Sequence, residues 1–180
     1  MDTEGKQLNQ PKRPNILVTG TPGTGKTSTC ELLSKLSGWR HINLSDAIKQ
    51  KSLHSGRDEE WDCYVLDENK VCDELEEVMV EGGNIVDFHT CDFFPERWFH
   101  LIVVLRSSND VLFPRLQNRG YKLKKIQENV EAEIMQVVLD EAKESYKKEI
   151  VVELQSDSVE QLEANAEKIC AWIKKNDTKQ

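Results

Sequence analysis

The sequence predicts an α/β protein: one five-stranded parallel sheet flanked by helices. Three observations carry this. Short apolar runs at 16–18, 39–43, 84–89, 101–105 and 150–154 alternate with amphipathic helical stretches. The run at 101–105 is apolar throughout, as a strand covered on both faces requires. The first run leads into a glycine-rich loop and then a helix, and right-handed crossovers would place that loop at the C-terminal edge of the sheet. Other strands should deliver their ends to the same edge.

In chain order, residues 1–14 are polar, with Pro11 and Pro14, and read as a disordered leader before a single domain over 15–174 and a tail at 175–180. Cys30, Leu32, Leu33 and Leu36 recur at helical spacing after the loop, and Gly38 ends that helix. Ser45-Asp46 supplies a cap for a short helix reaching about Leu53. Residues 54–66 have no clear period and are expected as a loop at the rim of the site. Asp67 opens a helix whose face is Val71, Leu75, Val78 and Met79, closed by Gly82-Gly83. A helix over 109–119 contains Pro114, which should kink it or remove a bond. A long helix is expected over 124–148, burying Ile126, Val130, Ile134, Val137 and Val138. Ser158-Val159-Glu160-Gln161 is a capping box opening the last helix, with Leu162, Ala166, Ile169 and Ile173 on one face.

The loop itself is Gly20-Thr21-Pro22-Gly23-Thr24-Gly25-Lys26-Thr27, followed by Ser28. It satisfies the pattern G-x-x-x-x-G-K-[ST]. Glycines at 20, 23 and 25 let the backbone turn through positive φ and approach an anion closely. Successive N–H groups and the N-terminal end of the following helix then face phosphate oxygens. Lys26 reaches the β and γ phosphates of a bound nucleoside triphosphate, and Thr27 offers its hydroxyl to Mg2+.

Asp87 ends the third strand, where a carboxylate completes the Mg2+ position. His89, two residues on, would leave the strand on the same face and position or deprotonate an acceptor. Arg115 and Arg119 lie one helical turn apart and would clamp the γ phosphate. Lys122, Lys124 and Lys125 continue this basic stretch as a lid that excludes water. Arg97 is a candidate grip on a second, phosphate-bearing substrate, whereas Phe93, Phe94 and Trp98 read as core. His41, His54 and His100 read as structural.

A net charge of −8 disfavours broad or sequence-specific nucleic-acid binding. Five cysteines without a C-x-x-C pair fit reduced thiols rather than a disulfide frame, and Cys63, Cys72, Cys91 and His89 match no zinc spacing. No run is long and apolar enough for a membrane span or a signal peptide.

GTPGTGKT, the stretch IVDFH-x-CDFFPERW and RLQNRGY together resemble the nuclear adenylate kinase isoenzyme six family, also described as a coilin-interacting nuclear ATPase and, in yeast, as a small-subunit ribosome maturation factor. The similarity covers about 15–173. It implies a nucleoside monophosphate kinase fold, with a monophosphate lobe at about 43–66 and a lid at about 120–128. It maps ATP contacts to Gly23, Gly25, Lys26, Thr27, Ser28 and Arg119, and a D-x-H motif to Asp87 and His89. The implied reactions are ATP + AMP ⇌ 2 ADP, with other monophosphates accepted, and slow ATP hydrolysis. A ribosomal protein of the small subunit, the pre-ribosome and 18S rRNA maturation are the implied partners and process, in nucleus and cytoplasm, for a monomer. Lys49 stands where such kinases carry an arginine on the lobe's first helix, and it lacks the planar bidentate contact. No arginine follows the lid in 127–134, which predicts a slower kinase and strengthens the ATPase reading.

Two rivals frame these expectations. In one, the ATP cycle switches contact with a basic ribosomal protein through the acidic stretches 58–60 and 140–153, and kinase activity is secondary. The other, a regulatory GTPase, is disfavoured because no N-K-x-D guanine-reading motif is present.

Overall fold

The computed structural model describes residues 9–177. Its sheet comprises β1 (Ile16–Thr19), β2 (Arg40–Asn43), β5 (Asn84–Asp87), β6 (Leu101–Arg106) and β7 (Val151–Gln155) in the order β2-β5-β1-β6-β7. All four pairings are parallel. The pleat sends alternate residues to opposite faces. Ile16, Val18, Ile85, Val103 and Leu105 meet α1 (Lys26–Ser37) and α7 (Val159–Asn176) through Cys30, Leu33, Ile169 and Ile173. Leu17, Val86, Ile102 and Val104 meet α3 (Glu68–Glu81), α6 (Val137–Ser145) and the aromatics Phe88, Phe94, Trp98 and Phe99.

At the N-terminal edge of the sheet Asn15 binds three segments. Its Nδ2 donates to the carbonyls of Met79 and Trp98, and its Oδ1 accepts from the backbone N and Nδ2 of Asn84. The described part of the expected leader is packed here, not loose. Lys12 N donates to Val80 O, and Arg13 pairs with Asp177 at 2.7 Å while covering the Trp39 ring. Residues 1–8 and 178–180 lie outside the described residues.

Three elements differ from the sequence expectation. Residues 54–66 form an antiparallel hairpin, β3 (His54–Asp58) and β4 (Cys63–Leu66), instead of a loop. The helix before it, α2 (Leu44–Gln50), is capped by the Asn43 side chain, which accepts from Asp46 N. The long helix is two, α5 (Leu123–Ile134) and α6, separated by Gln136 in the left-handed region at φ 58°. Ile134 and Val137 are therefore exposed rather than buried. Neither Gly nor Pro marks this break; Glu133, buried at the end of α5, is held by groups from two other elements. Helix α4 (Asn109–Asn118) continues through Pro114, whose ring faces solvent. Among the described residues no helix is long and apolar enough to cross a membrane.

Candidate active site

The loop between β1 and α1 lies at the C-terminal edge, as its position after a central parallel strand requires. Gly20 has φ 154° and Gly23 φ 93°. A Cβ on Gly20 would come within 2.7 Å of Leu105 O, so only glycine lets the loop turn this close to β6. The Thr24 hydroxyl donates to Thr21 O at 2.8 Å and fixes the turn from inside.

Lys26 curls over this loop, its Nζ donating to Gly20 O at 2.9 Å and Thr21 O at 3.2 Å. The ammonium is crowded by protein, and that desolvation pushes its pKa down to about 8; Asp87 opposes the shift and Arg119 adds to it. Thr27, on the first turn of α1, donates its hydroxyl to Asp87 Oδ2 at 2.8 Å. Two oxygen donors thus face one another at the helix N-terminus, an arrangement that suits Mg2+. His89 follows Asp87 beyond the strand end, its ring tilted 49° against that of Phe88 with centroids 4.4 Å apart. It is open to water on one side but crowded on the others. Burial first, and the charge of Lys26 second, push its pKa down to about 4, so it stands neutral at pH 7.

Arg115 and Arg119 do share one face of α4, and both line a cavity of about 320 Å3 beside the loop with Gly23, Gly25 and Ser28. Their engagements differ. Arg115 Nη1 donates to Gly23 O, Ser107 Oγ and Ser156 O, tying the loop to the segments that follow β6 and β7. Arg119 is exposed at the end of α4 and within electrostatic reach of Lys26. Lys124, in the stretch expected as a lid, reaches the hairpin, 3.3 Å from Glu60 and 4.9 Å above the Trp61 ring. Lys49 is exposed on α2.

Arg97 is not brought to this edge. It sits in the turn before β6, at the opposite end of the sheet, where Nη2 pairs with Glu76 at 2.7 Å and Nη1 donates to Asn9 O. Its expected grip on a second substrate is corrected accordingly: neighbouring Trp98 is fully buried and fixes the turn there.

The family described as an AAA domain matches residues 16–136. The adenylate kinase isoenzyme 6 homolog of Dictyostelium discoideum is 55% identical over 161 residues, 89% of this chain and 92% of that protein. The chain belongs to the adenylate kinase isoenzyme 6 family. The homolog FAP7 of Saccharomyces cerevisiae is 50% identical over 162 residues, 89% of this chain and 82% of that protein. A shikimate kinase structure from Acinetobacter baumannii shares the fold, with a TM-score of 0.64 at 13% identity over 91% of this chain and 94% of that one. This adenylate kinase relative is therefore a nucleotide kinase by family, with the phosphate-loop kinase fold that its first elements predict.

Three residues of this family member escape sequence reasoning. His41, read as structural, places Nε2 3.1 Å from Asp87 Oδ2. Strand order decides this, because β2 pairs directly with β5 and His41 lies on the same face as Asp87. Cys30, one turn beyond Thr27, completes a cluster with His41 and Asp87 whose ligand atoms all lie within 4.8 Å. Burial, then the charge of Asp87, hold its thiol well above the ordinary range, so it stands neutral. Glu133 accepts from the Thr21 hydroxyl of the loop and from Arg106 Nε, while Arg106 Nη2 donates to Glu133 O at 2.9 Å.

Proposed function

We propose that this chain is an Mg2+-dependent nucleoside monophosphate kinase that moves the γ phosphate of ATP to AMP, accepts other monophosphates, and hydrolyses ATP slowly. The observation that carries this reading is the contact of Thr27 with Asp87 across the end of the phosphate loop. Thr27 and Asp87 would hold Mg2+, which when bound supplies charge neutralisation at the β and γ phosphates. Gly20, Gly23, Thr24 and Gly25 supply the amide cradle. Lys26 swings from its loop carbonyls to the transferring phosphate, becoming fully charged as it does so. Arg119 and Ser28 border the cavity beside the cradle and take the nucleotide, while Arg115 holds the cradle's shape. Neutral His89 orients the acceptor by hydrogen bonding and is not charged at pH 7. Lid and hairpin close over the acceptor through Lys124. Mixing protein, Mg2+, ATP and AMP should form ADP well above the rate without AMP; equal rates would refute the kinase reading.

A second reading, an ATP-switched assembly factor, draws support from the acceptor side. Arg97 is engaged at the far edge of the sheet and Lys49 is the lysine on the lobe helix, so few cations remain there to hold AMP. We infer that the protein acts as a monomer in nucleus and cytoplasm. There it would bind a basic small-subunit ribosomal protein on the pre-ribosome and support 18S rRNA maturation. Nucleotide-dependent, salt-sensitive binding to such a protein is the expected result; binding indifferent to both would exclude the switch.

A further inference from the structure

We propose that Cys30, His41 and Asp87 form a site for a thiophilic divalent cation such as Zn2+, overlapping the Mg2+ position at Asp87. The three residues come from three elements, α1, β2 and β5, that the sheet order brings together. Their sulfur, nitrogen and oxygen atoms lie within 4.8 Å of one another. A tetrahedral Zn2+ with bonds of about 2.0–2.3 Å holds its ligands about 3.3–3.8 Å apart, so a contraction of about 1–1.5 Å at most through side-chain rotation closes the site. Thr27, already 2.8 Å from Asp87, borders the fourth position.

The alternative is that the thiol packs as a small apolar group while the imidazole orients the carboxylate. Cys30 does belong to the cluster containing Ile16, Leu33 and Trp39. Yet packing alone does not require the thiol, imidazole and carboxylate to bring their ligand atoms within 4.8 Å of one another. The donor set also discriminates between cations. Mg2+ takes the oxygens of Thr27 and Asp87 and has little affinity for sulfur, whereas Zn2+ gains from both the thiolate and the imidazole. Entry is past His41, whose side chain retains 15% exposure, since Cys30 and Asp87 are enclosed. On binding, the Cys30 thiol releases its proton to water and His41 binds through Nε2 with its proton on Nδ1; no redox change occurs. Occupancy takes Asp87 away from Mg2+ and stops turnover, a consequence that rests on the proposed role of Asp87.

The test uses Co2+ titrated into the nucleotide-free full chain, read by the near-ultraviolet sulfur-to-cobalt absorption. A saturable equimolar band is expected, displaced by Zn2+, lost in Cys30→Ala and retained in Cys63→Ser. His41→Asn should weaken affinity by more than about a hundredfold, beyond the roughly 10–100-fold that losing a hydrogen-bond partner of a metal ligand costs. Absence of a band, or a band that survives Cys30→Ala, overturns the site. If Cys30→Ala fails to fold, anomalous scattering from zinc-soaked wild-type crystals decides: a peak between Cys30, His41 and Asp87 supports the site and its absence removes it. Zn2+ should also inhibit Mg2+-dependent ATP turnover. A band that depends on Cys30 without such inhibition would leave the cation site standing and refute Asp87 as the Mg2+ carboxylate.

Discussion

Asp87 and Glu133 are two buried carboxylates on either side of the phosphate loop, exposed by only 4% and 3%, and they are held very differently. Asp87 receives Thr27 and His41 on one oxygen, Oδ2, and both partners are groups that can be neutral. Glu133 has each oxygen engaged, Oε2 by Thr21 and Oε1 by the permanently charged Arg106, whose Nη1 also pairs with Glu153 at 3.1 Å. A buried acid with both oxygens committed to a guanidinium and a hydroxyl is a latch, and its removal strands a charge. A buried acid with one oxygen outside such bonds retains a lone-pair direction for a ligand. On the proposed function, the same residue chemistry serves architecture on one side of the loop and the reaction on the other.

The contrast is broken most directly by Asp87→Asn. This change keeps shape and the Thr27 contact but removes the charge, so turnover should fall by about 10²–10³-fold, with little change in melting temperature. Retention of turnover within a few fold would make Asp87 a second latch. Glu133→Ala should do the reverse. Arg106 keeps Glu153 and the backbone carbonyl of residue 133 but loses its buried carboxylate, and urea unfolding should report a loss of about 3 kcal/mol, the lower end for breaking a buried pair because those partners remain. Turnover should fall less than in Asp87→Asn. Glu133→Gln, which still accepts from Thr21, should recover part of the stability.

The sequence makes one of these acids legible and hides the other. Asp87 follows Ile85-Val86 at the end of a strand in a phosphate-loop protein, so local pattern and chain order suffice. Glu133 stands in a stretch, LKKIQENVEAEI, that reads as ordinary helix, and its role depends on Arg106, 27 residues away on β6. The same tertiary pairing accompanies the helix break at Gln136, which intrinsic propensity does not mark. His41 is hidden for a related reason: only the order β2-β5-β1 puts it beside Asp87. Arg97 misleads because closeness to Asp87 in sequence is taken for closeness in space, yet the chain has returned to the far edge before β6 begins. Arg115 and Arg119 are correctly placed on one face by spacing, while their different partners require the turn at Ser156 to be known.

Lys26 offers a way to sharpen the contrast through pH. Its pKa in the nucleotide-free protein is pushed down to about 8, chiefly by burial. Phosphate favours the charged form, so the pKa rises when ATP binds. Above about pH 8 the neutral amine of Lys26 must take up a proton on binding, and ATP affinity should weaken by about tenfold per pH unit until the pKa of the complex is reached. Below pH 8 affinity should be flat as far as this group is concerned. Lys26→Arg, which stays charged, should remove that slope even if it binds less well. A slope unchanged in Lys26→Arg would assign the titration elsewhere.

The smallest effect concerns the lid. Lys124 and Glu60 form an ion pair like that of Arg106 and Glu133, but their side chains are 65% and 69% exposed. Water screens such a pair, so Glu60→Gln should change stability by less than about 0.5 kcal/mol. The contact of Lys124 with Trp61 adds at most about 1 kcal/mol at an exposed site. On the proposed function its value lies in joining the expected lid to the hairpin, and Lys124→Ala, which removes both contacts, should raise the KM for the monophosphate by no more than about tenfold, the equivalent of about 1.5 kcal/mol. Glu60→Gln should raise the same KM less, an increase that vanishes in 1 M salt, where the Debye length shrinks to about 3 Å, whereas an increase from Trp61→Ala should persist. A stability loss in Glu60→Gln as large as that of Glu133→Ala would mean that burial is not what separates the two pairs.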